Sequence, residues 1–172
     1  MTNITTRDDQ PVQSQTRIEI YTDGSCIGNP SRFAGYGAVL LRLDAADNII
    51  NRREISGRAD GETTNIRMEM TAVCVALEAI NPNSAEPITV LSDADIISKA
   101  MNGWLAKWKL AGWRKANGKP VENRDLWERL DKAVSGRSVT FKWVRGHNGT
   151  EHNERADALA HRQARKAERL AA

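Results

Sequence analysis

Cysteine is scarce in this chain, with only Cys26 and Cys74 among 172 residues. So few, so far apart, they form neither a metal-binding pair nor a disulfide framework, and a reducing compartment is the simpler setting. No apolar run approaches the roughly 18 residues of a membrane span. The amino terminus lacks an apolar stretch with a small-residue cleavage pattern, so no secretory leader is read there and a cytoplasmic protein with no membrane association is expected. No glycine-rich loop feeds a helix in the manner of a nucleotide-phosphate cradle, which disfavours a small-molecule enzyme. Repeats and domain linkers are missing too. Charge of one sign is not in large excess: the net charge is +3 and the pI about 9.0, a tilt that fits a polyanionic partner without specifying one.

What remains is ordinary globular composition, 40% apolar and 27% charged, in a chain long enough for one domain with a real core. Residues 1–16 are polar and aperiodic and read as a disordered tail, leaving a domain over 17–172. Ile18 and Ile20 alternate with Glu19 and Tyr21, which predicts a strand over 17–23, ending in the turn that starts at Gly24. Strands are predicted over 34–43 and 48–57 around the turn Asp44-Ala45-Ala46-Asp47, making an antiparallel meander. Ile66, Met70, Val73, Leu77 and Ile80 then mark one helical stripe, with Thr64 or Asn65 as its cap. The run 87–92 reads as a strand buried on both faces, parallel to the first because a helix makes the crossover. A helix over 94–111 broken near Gly103, a loop over 112–121, a helix over 123–134, a strand on Val139, Phe141 and Trp143, and a long last helix from Glu151 complete an α/β chain.

Four acids sit in the most patterned segments: Asp23 at the end of the first strand, Glu69 in the first turns of the crossover helix, Asp93 closing the run Ile88–Ser92, and Asp157 near the start of the last helix. If the first and fourth strands are neighbours, all four converge on one cleft. Two carboxylates about 4 Å apart repel by about 4 kcal/mol at an effective dielectric of about 20, so such a cluster needs a hard cation. Two such ions activate a water and stabilise a leaving oxygen in phosphodiester hydrolysis. Each acid also has a plainer reading, a turn former for Asp23 and Asp93 and a dipole-favoured helix start for Glu69 and Asp157.

The wording around the acids decides between these. Tyr21-Thr22-Asp23-Gly24-Ser25, Gly28-Asn29-Pro30, Thr63-Thr64-Asn65, Arg67-Met68-Glu69, Trp143-Val144-Arg145-Gly146-His147 and Asn153-Glu154-Arg155-Ala156-Asp157, in that order from about Ile18 to Ala164, closely resemble type 1 ribonuclease H. The resemblance implies the ribonuclease H-like fold, a five-stranded mixed sheet flanked by helices. It implies a monomeric endonuclease that uses one or two Mg2+ ions, with Mn2+ as a substitute, to cut the RNA strand of an RNA–DNA hybrid to 5′-phosphate and 3′-hydroxyl ends. Asp23, Glu69, Asp93 and Asp157 match the metal-binding carboxylates, and His147 matches a loop histidine that assists proton transfer or product release. Glu151, His152 and Glu154 read as helix-start and solvated residues.

Cys26, Asn29 and Asn65 match positions that sense the ribose 2′-hydroxyl, and Thr64 matches a hydroxyl near a DNA-strand phosphate. Taken alone, Asn29 and Asn65 also read as a turn residue and a helix cap. Residues 101–121 carry no acid, and their Trp104, Lys107, Trp108, Lys109, Arg114 and Lys115 resemble the family's basic protrusion that grips the DNA strand; Trp104 and Trp108 also have the spacing of core packing. Three departures stand out. Ile66 replaces a polar residue, Asp95 adds a charge where an amide is usual, and Leu110 and Ala111 make the protrusion less basic. Ile66 and Asp95 keep a non-catalytic hybrid-binding module open as an alternative, and a junction resolvase or integrase-like core is a third.

Overall fold

The computed structural model describes residues 16–146 and 150–171; all but the last residue of the expected tail over 1–16, and His147, lie outside the described residues. The elements are β1 (Arg17–Cys26), β2 (Ala34–Leu43), β3 (Ile49–Arg58), α1 (Asn65–Glu78), β4 (Ile88–Ser92), α2 (Asp95–Lys99), α3 (Leu105–Leu110), α4 (Arg124–Val134), β5 (Val139–Trp143) and α5 (Glu151–Leu170). One five-stranded sheet runs in the order β3-β2-β1-β4-β5. β1, β2 and β3 form the antiparallel meander, while β4 and β5 run parallel to β1. The mixed α/β sheet expected from the motif order is thus the one observed. Among the described residues no helix is long and apolar enough to cross a membrane.

The sheet separates two apolar layers. On one face α1 and α4 bury Met70, Val73, Leu77, Trp127 and Leu130 against Ile20, Ile88, Val90 and Phe141. On the other, Ala156 and Leu159 of α5 meet Tyr21, Val39 and Leu41. The carboxyl end of α1 is held by Arg137, whose guanidinium donates to Leu77 O and Ile80 O, both at 2.8 Å. That satisfies carbonyls a helix leaves open, with a cation on the favoured side of the dipole.

Several local expectations shift. β1 continues past Asp23 because Gly24, Ser25 and Cys26 pair with Tyr36, Gly35 and Ala34 of β2; the glycine-rich wording reads as a turn, but the partner strand extends the ladder. Asp23 is therefore inside a strand. β4 is not fully buried on both faces: Ile88, Val90 and Ser92 are buried and Thr89 and Leu91 half-buried. The helix expected over 94–111 is α2 and α3 joined by a π-type turn, and its backbone leaves helical geometry at Gly103 as expected. Thr16, assigned to the tail, hydrogen-bonds the carboxylate of Glu86. His152, read as solvated, instead packs its ring on Tyr21 with centroids 5.4 Å apart.

The approach of α5 to β2 depends on a missing side chain. A Cβ at Gly37 would lie 2.4 Å from Ala156 O. That contact is with backbone, so it cannot be relieved by a rotamer change. Gly37→Ala is expected to cost about 1–3 kcal/mol, a fall in Tm of roughly 3–10 °C by calorimetry. A Tm within a degree or so of the parent would contradict this packing.

Candidate active site and nucleic-acid groove

Parallel pairing of β1 with β4 ends at Thr22 and Ser92, so the next residue of each strand, Asp23 and Asp93, emerges at the same edge. α1 crosses over them. Its amino end is fixed by the Thr64 side chain, which accepts from Arg67 N at 3.4 Å, and by Asn29 Oδ1, which accepts from Asn65 N at 3.2 Å. Thr64 is thus the cap, and the amide of Asn65 is left to reach Glu69 Oε1 at 3.5 Å. The helix can come this near because residue 24 is glycine: a Cβ there would lie 2.3 Å from Glu69 N.

One carboxylate oxygen from each of Asp23, Glu69 and Asp93 falls within 4.8 Å of the others. Glu69 is only 5% exposed, and its Oε2 has no hydrogen-bond partner among the described residues. Burial, then the Asp93 and Asp157 charges, push the Asp23 carboxyl up to about 8. Burial, then the Asp23 and Asp93 charges, raise Glu69 well above the usual carboxylate range. Asp157, half-buried on α5, lies outside the tight trio but faces Asp23 closely enough to raise its pKa. The four acids therefore do meet. A buried carboxylate oxygen without a donor, facing two more carboxylates, is the donor set of a hard divalent cation.

The positions expected from the resemblance to face the substrate gather around the amino end of α1. Ser31 and Thr63 exchange two backbone hydrogen bonds of 2.9 Å, which zips the loop after β1 onto the helix start. This brings Cys26, Asn29, Thr64 and Asn65 together; Cys26 Sγ lies 3.7 Å from Thr63 O. Beyond them, Ile66, Ile96, Trp104, Lys107, Trp108, Arg114 and Lys115 line a groove of about 610 Å³. Trp104, Trp108 and Trp127 form a ladder with centroids 5.9 and 5.5 Å apart, from 41% exposed at Trp104 to buried at Trp127. Trp127, and through it Trp108, packs with the core, while Trp104 stands at the surface. Lys109 is not part of the groove: it pairs with Asp131 at 2.7 Å. Lys115 lines the groove but also pairs with Glu122 at 3.0 Å. Asp95 pairs with Lys99, one helical turn on.

Sequence reasoning did not single out Trp143 or Gly24. The alternation Val139, Phe141, Trp143 places Trp143 with the core, yet it is 54% exposed and its indole Nε1 donates to Asp93 O at 3.0 Å. Its place at the head of the patterned segment Trp143-Val144-Arg145-Gly146-His147 is the signal that could have flagged it. The RNase H family pattern matches residues 15–165. A ribonuclease H of Cupriavidus pinatubonensis (strain JMP 134 / LMG 1197) is 47% identical over 145 residues, which is 84% of this chain and 93% of that protein. The crystal structure of LC9-RNase H1, a type 1 RNase H with the type 2 active-site motif, superposes with a TM-score of 0.74 at 32% identity over 89% of this chain and 74% of that one. LC11-RNase H1 in complex with RNA/DNA hybrid superposes with a TM-score of 0.64 at 27% identity, covering 88% and 99% of the two chains. With the acid cluster, the sheet order and these likenesses in agreement, the chain belongs to the ribonuclease H family of nucleases.

Proposed function

We propose that this protein is a magnesium-dependent endonuclease that hydrolyses the RNA strand of an RNA–DNA hybrid, leaving 5′-phosphate and 3′-hydroxyl ends. The observation that carries the reading is the trio of carboxylate oxygens within 4.8 Å, one of them buried without a donor. Asp23, Glu69 and Asp93 would hold the metal, with Asp157 beside Asp23. One or two Mg2+ ions, or Mn2+ in their place, would supply an activated water and charge stabilisation at the leaving oxygen. The chain supplies the rest. β1 and α1 hold Asp23 and Glu69 on rigid elements, as an in-line displacement requires. Cys26, Asn29 and Asn65, close to the exposed start of α1, are the groups that would test for a ribose 2′-hydroxyl. Thr64 would meet a DNA-strand phosphate, and the groove of Trp104, Trp108, Lys107, Arg114 and Lys115 would take the rest of that strand. Lys109, held by Asp131, contributes only after that ion pair opens. His147 would move the proton or speed product departure, a role its charge change near neutral pH suits.

The protein would act as a monomer in the cytoplasm, its catalytic domain spanning 17–172 behind a short tail. Both cysteines are free thiols, in keeping with a reducing compartment. The pairing of Asp95 with Lys99 removes one of the two reasons for a non-catalytic binding module.

A substrate panel tests the proposal. Labelled RNA–DNA hybrid, double-stranded RNA, single-stranded RNA and duplex or junction DNA are each incubated with and without Mg2+. Only the hybrid is expected to be cut, only with the ion, and to fragments bearing 5′-phosphates. A hybrid that is retarded in a gel but left whole would make the protein a binder, and preferential cutting of DNA junctions would make it a resolvase.

A further inference from the structure

The trio of carboxylates is not held evenly. Asp23 sits within β1, paired on one side with Gly37 of β2, and Glu69 sits in the 14-residue helix α1. Asp93 belongs to no element. It lies in the two-residue link Asp93-Ala94 between the end of β4 at Ser92 and the start of α2 at Asp95. A link outside the ladder, tied to α2 only where Ala94 O accepts from Ile97 N at 3.0 Å, is the part of the site most free to drift, and placement within about 0.5 Å decides whether such a constellation works. What holds this link comes from β5. Trp143 is the last residue in register with Ser92, and Val144 N donates to Ser92 O at 3.0 Å. One residue on, no strand is left to take the Asp93 carbonyl, and the Trp143 indole donates to it at 3.0 Å instead. Ser92 Oγ accepts from Ala94 N at 3.2 Å, so the backbone is fixed on both sides of the aspartate. Just beyond, the chain passes so near that a Cβ at Gly146 would lie 2.5 Å from Asp93 Oδ2.

We infer that Trp143 is a positioning residue, its indole N–H replacing the missing ladder bond so that the Asp93 carboxylate stays within the metal-binding trio. This deepens the metal-dependent reading above and rests on Asp93 being a ligand. Burial does not account for the tryptophan, since it is 54% exposed. The feature only tryptophan supplies here is the indole donor, which has no backbone equivalent past the end of β5. Second-layer hydrogen bonds of this kind typically change metal affinity by about 10- to 100-fold.

Trp143→Phe keeps a six-membered aromatic ring and deletes the donor. The wild type and the variant are titrated with Mn2+ and with Mg2+ by calorimetry, in the absence of nucleic acid, and their thermal unfolding is recorded with EDTA. The expected result is a metal Kd weakened by about tenfold, with a metal-free Tm within about 2 °C of the parent, and hybrid cleavage that recovers as the ion concentration is raised. An unchanged Kd overturns the inference, as does a loss of affinity that only accompanies a large fall in Tm. Weakened hybrid binding at an unchanged metal Kd would make the ring a stacking surface and would equally overturn it. If the wild type cuts no hybrid at all, the proposed activity fails, while the metal titration still decides the role of Trp143.

Discussion

Asp23→Asn is expected to lower hybrid hydrolysis by about a thousandfold or more and, in the same protein, to raise the metal-free Tm at about pH 8. The two effects have one origin. Asparagine matches the volume of a protonated aspartate and keeps a carbonyl oxygen, so β1 and its pairing are undisturbed. What disappears is one negative charge from a pocket built of them. For the reaction this removes an anionic ligand from the trio, and metal-derived stabilisation of a transition state is worth several kcal/mol, with each 1.4 kcal/mol a factor of about ten in rate. For the fold the same deletion is a relief. Burial and the Asp93 and Asp157 charges push Asp23 up to about 8, and Asp23 in turn raises Glu69. Near pH 8 the unfolded chain gains from ionising this carboxyl and the folded chain does not. The substitution cancels that difference, and at about pH 4 the two proteins should converge. Cleavage of labelled hybrid in excess Mg2+, paired with calorimetry in EDTA, reads both effects. Near-normal turnover would remove Asp23 from the metal site; a lower metal-free Tm would mean that the cluster stabilises the fold without an ion.

The parts of this molecule that could be read from the sequence are those where one residue type has one cause. The period of Ile66, Met70, Val73 and Leu77 marks α1 because an amphipathic helix has few alternatives; Met70, Val73 and Leu77 are buried, Ile66 is half-buried, and Ile80 is buried just past the helix end. The convergence of Asp23 and Asp93 follows from the crossover: a helix between two strands makes them parallel, and parallel neighbours end on the same edge. The misread parts depend on partners distant in sequence. Gly24, Ser25 and Cys26 form strand because β2 offers a ladder, which their own composition gives no hint of. Gly37 looks like a strand weakener until Ala156 O is found where its side chain would be. His152 carries the marks of a solvated helix start, yet the position of α5 lays it on Tyr21. Lys109 reads as a phosphate-gripping cation, and it takes the fold of α4 to put Asp131 against it. The motif wording locates the four acids, while the close approaches at Gly24 and Gly37 that let their elements meet are legible only in three dimensions.

Without divalent ions, the protein should lose stability as pH rises from about 4 to about 8. The folded pKa of Asp23 is raised from 3.8 to about 8 and that of Glu69 lies well above 4.5, both chiefly through burial. Below about pH 4 folded and unfolded chains both hold these protons, and the contribution to stability is fully present. Between those limits the unfolded chain has released protons that the folded one keeps, so stability falls with pH, and it is lost once pH passes through the folded value. Glu54, lowered to about 2 chiefly by Arg155, acts in the opposite sense, but it changes stability only below about pH 4.5 and leaves the neutral window to the acid cluster. A cation that binds only the folded, deprotonated site reverses the trend. At a hundred times its Kd it adds about 2.7 kcal/mol, a rise in Tm of roughly 5–10 °C. The gain should fade toward about pH 5, where protons compete for the same oxygens. Calorimetry at about pH 5 and about pH 8, with EDTA or with saturating Mg2+, measures all four corners. The expected pattern is a metal-free Tm that is lower at the higher pH and an Mg2+ shift that is larger there, with Asp23→Asn flattening both. A metal-free Tm that holds or rises across this range would mean that the buried carboxylates are already satisfied by the protein itself, and the case for a cation at Asp23, Glu69 and Asp93 would lose its physical basis.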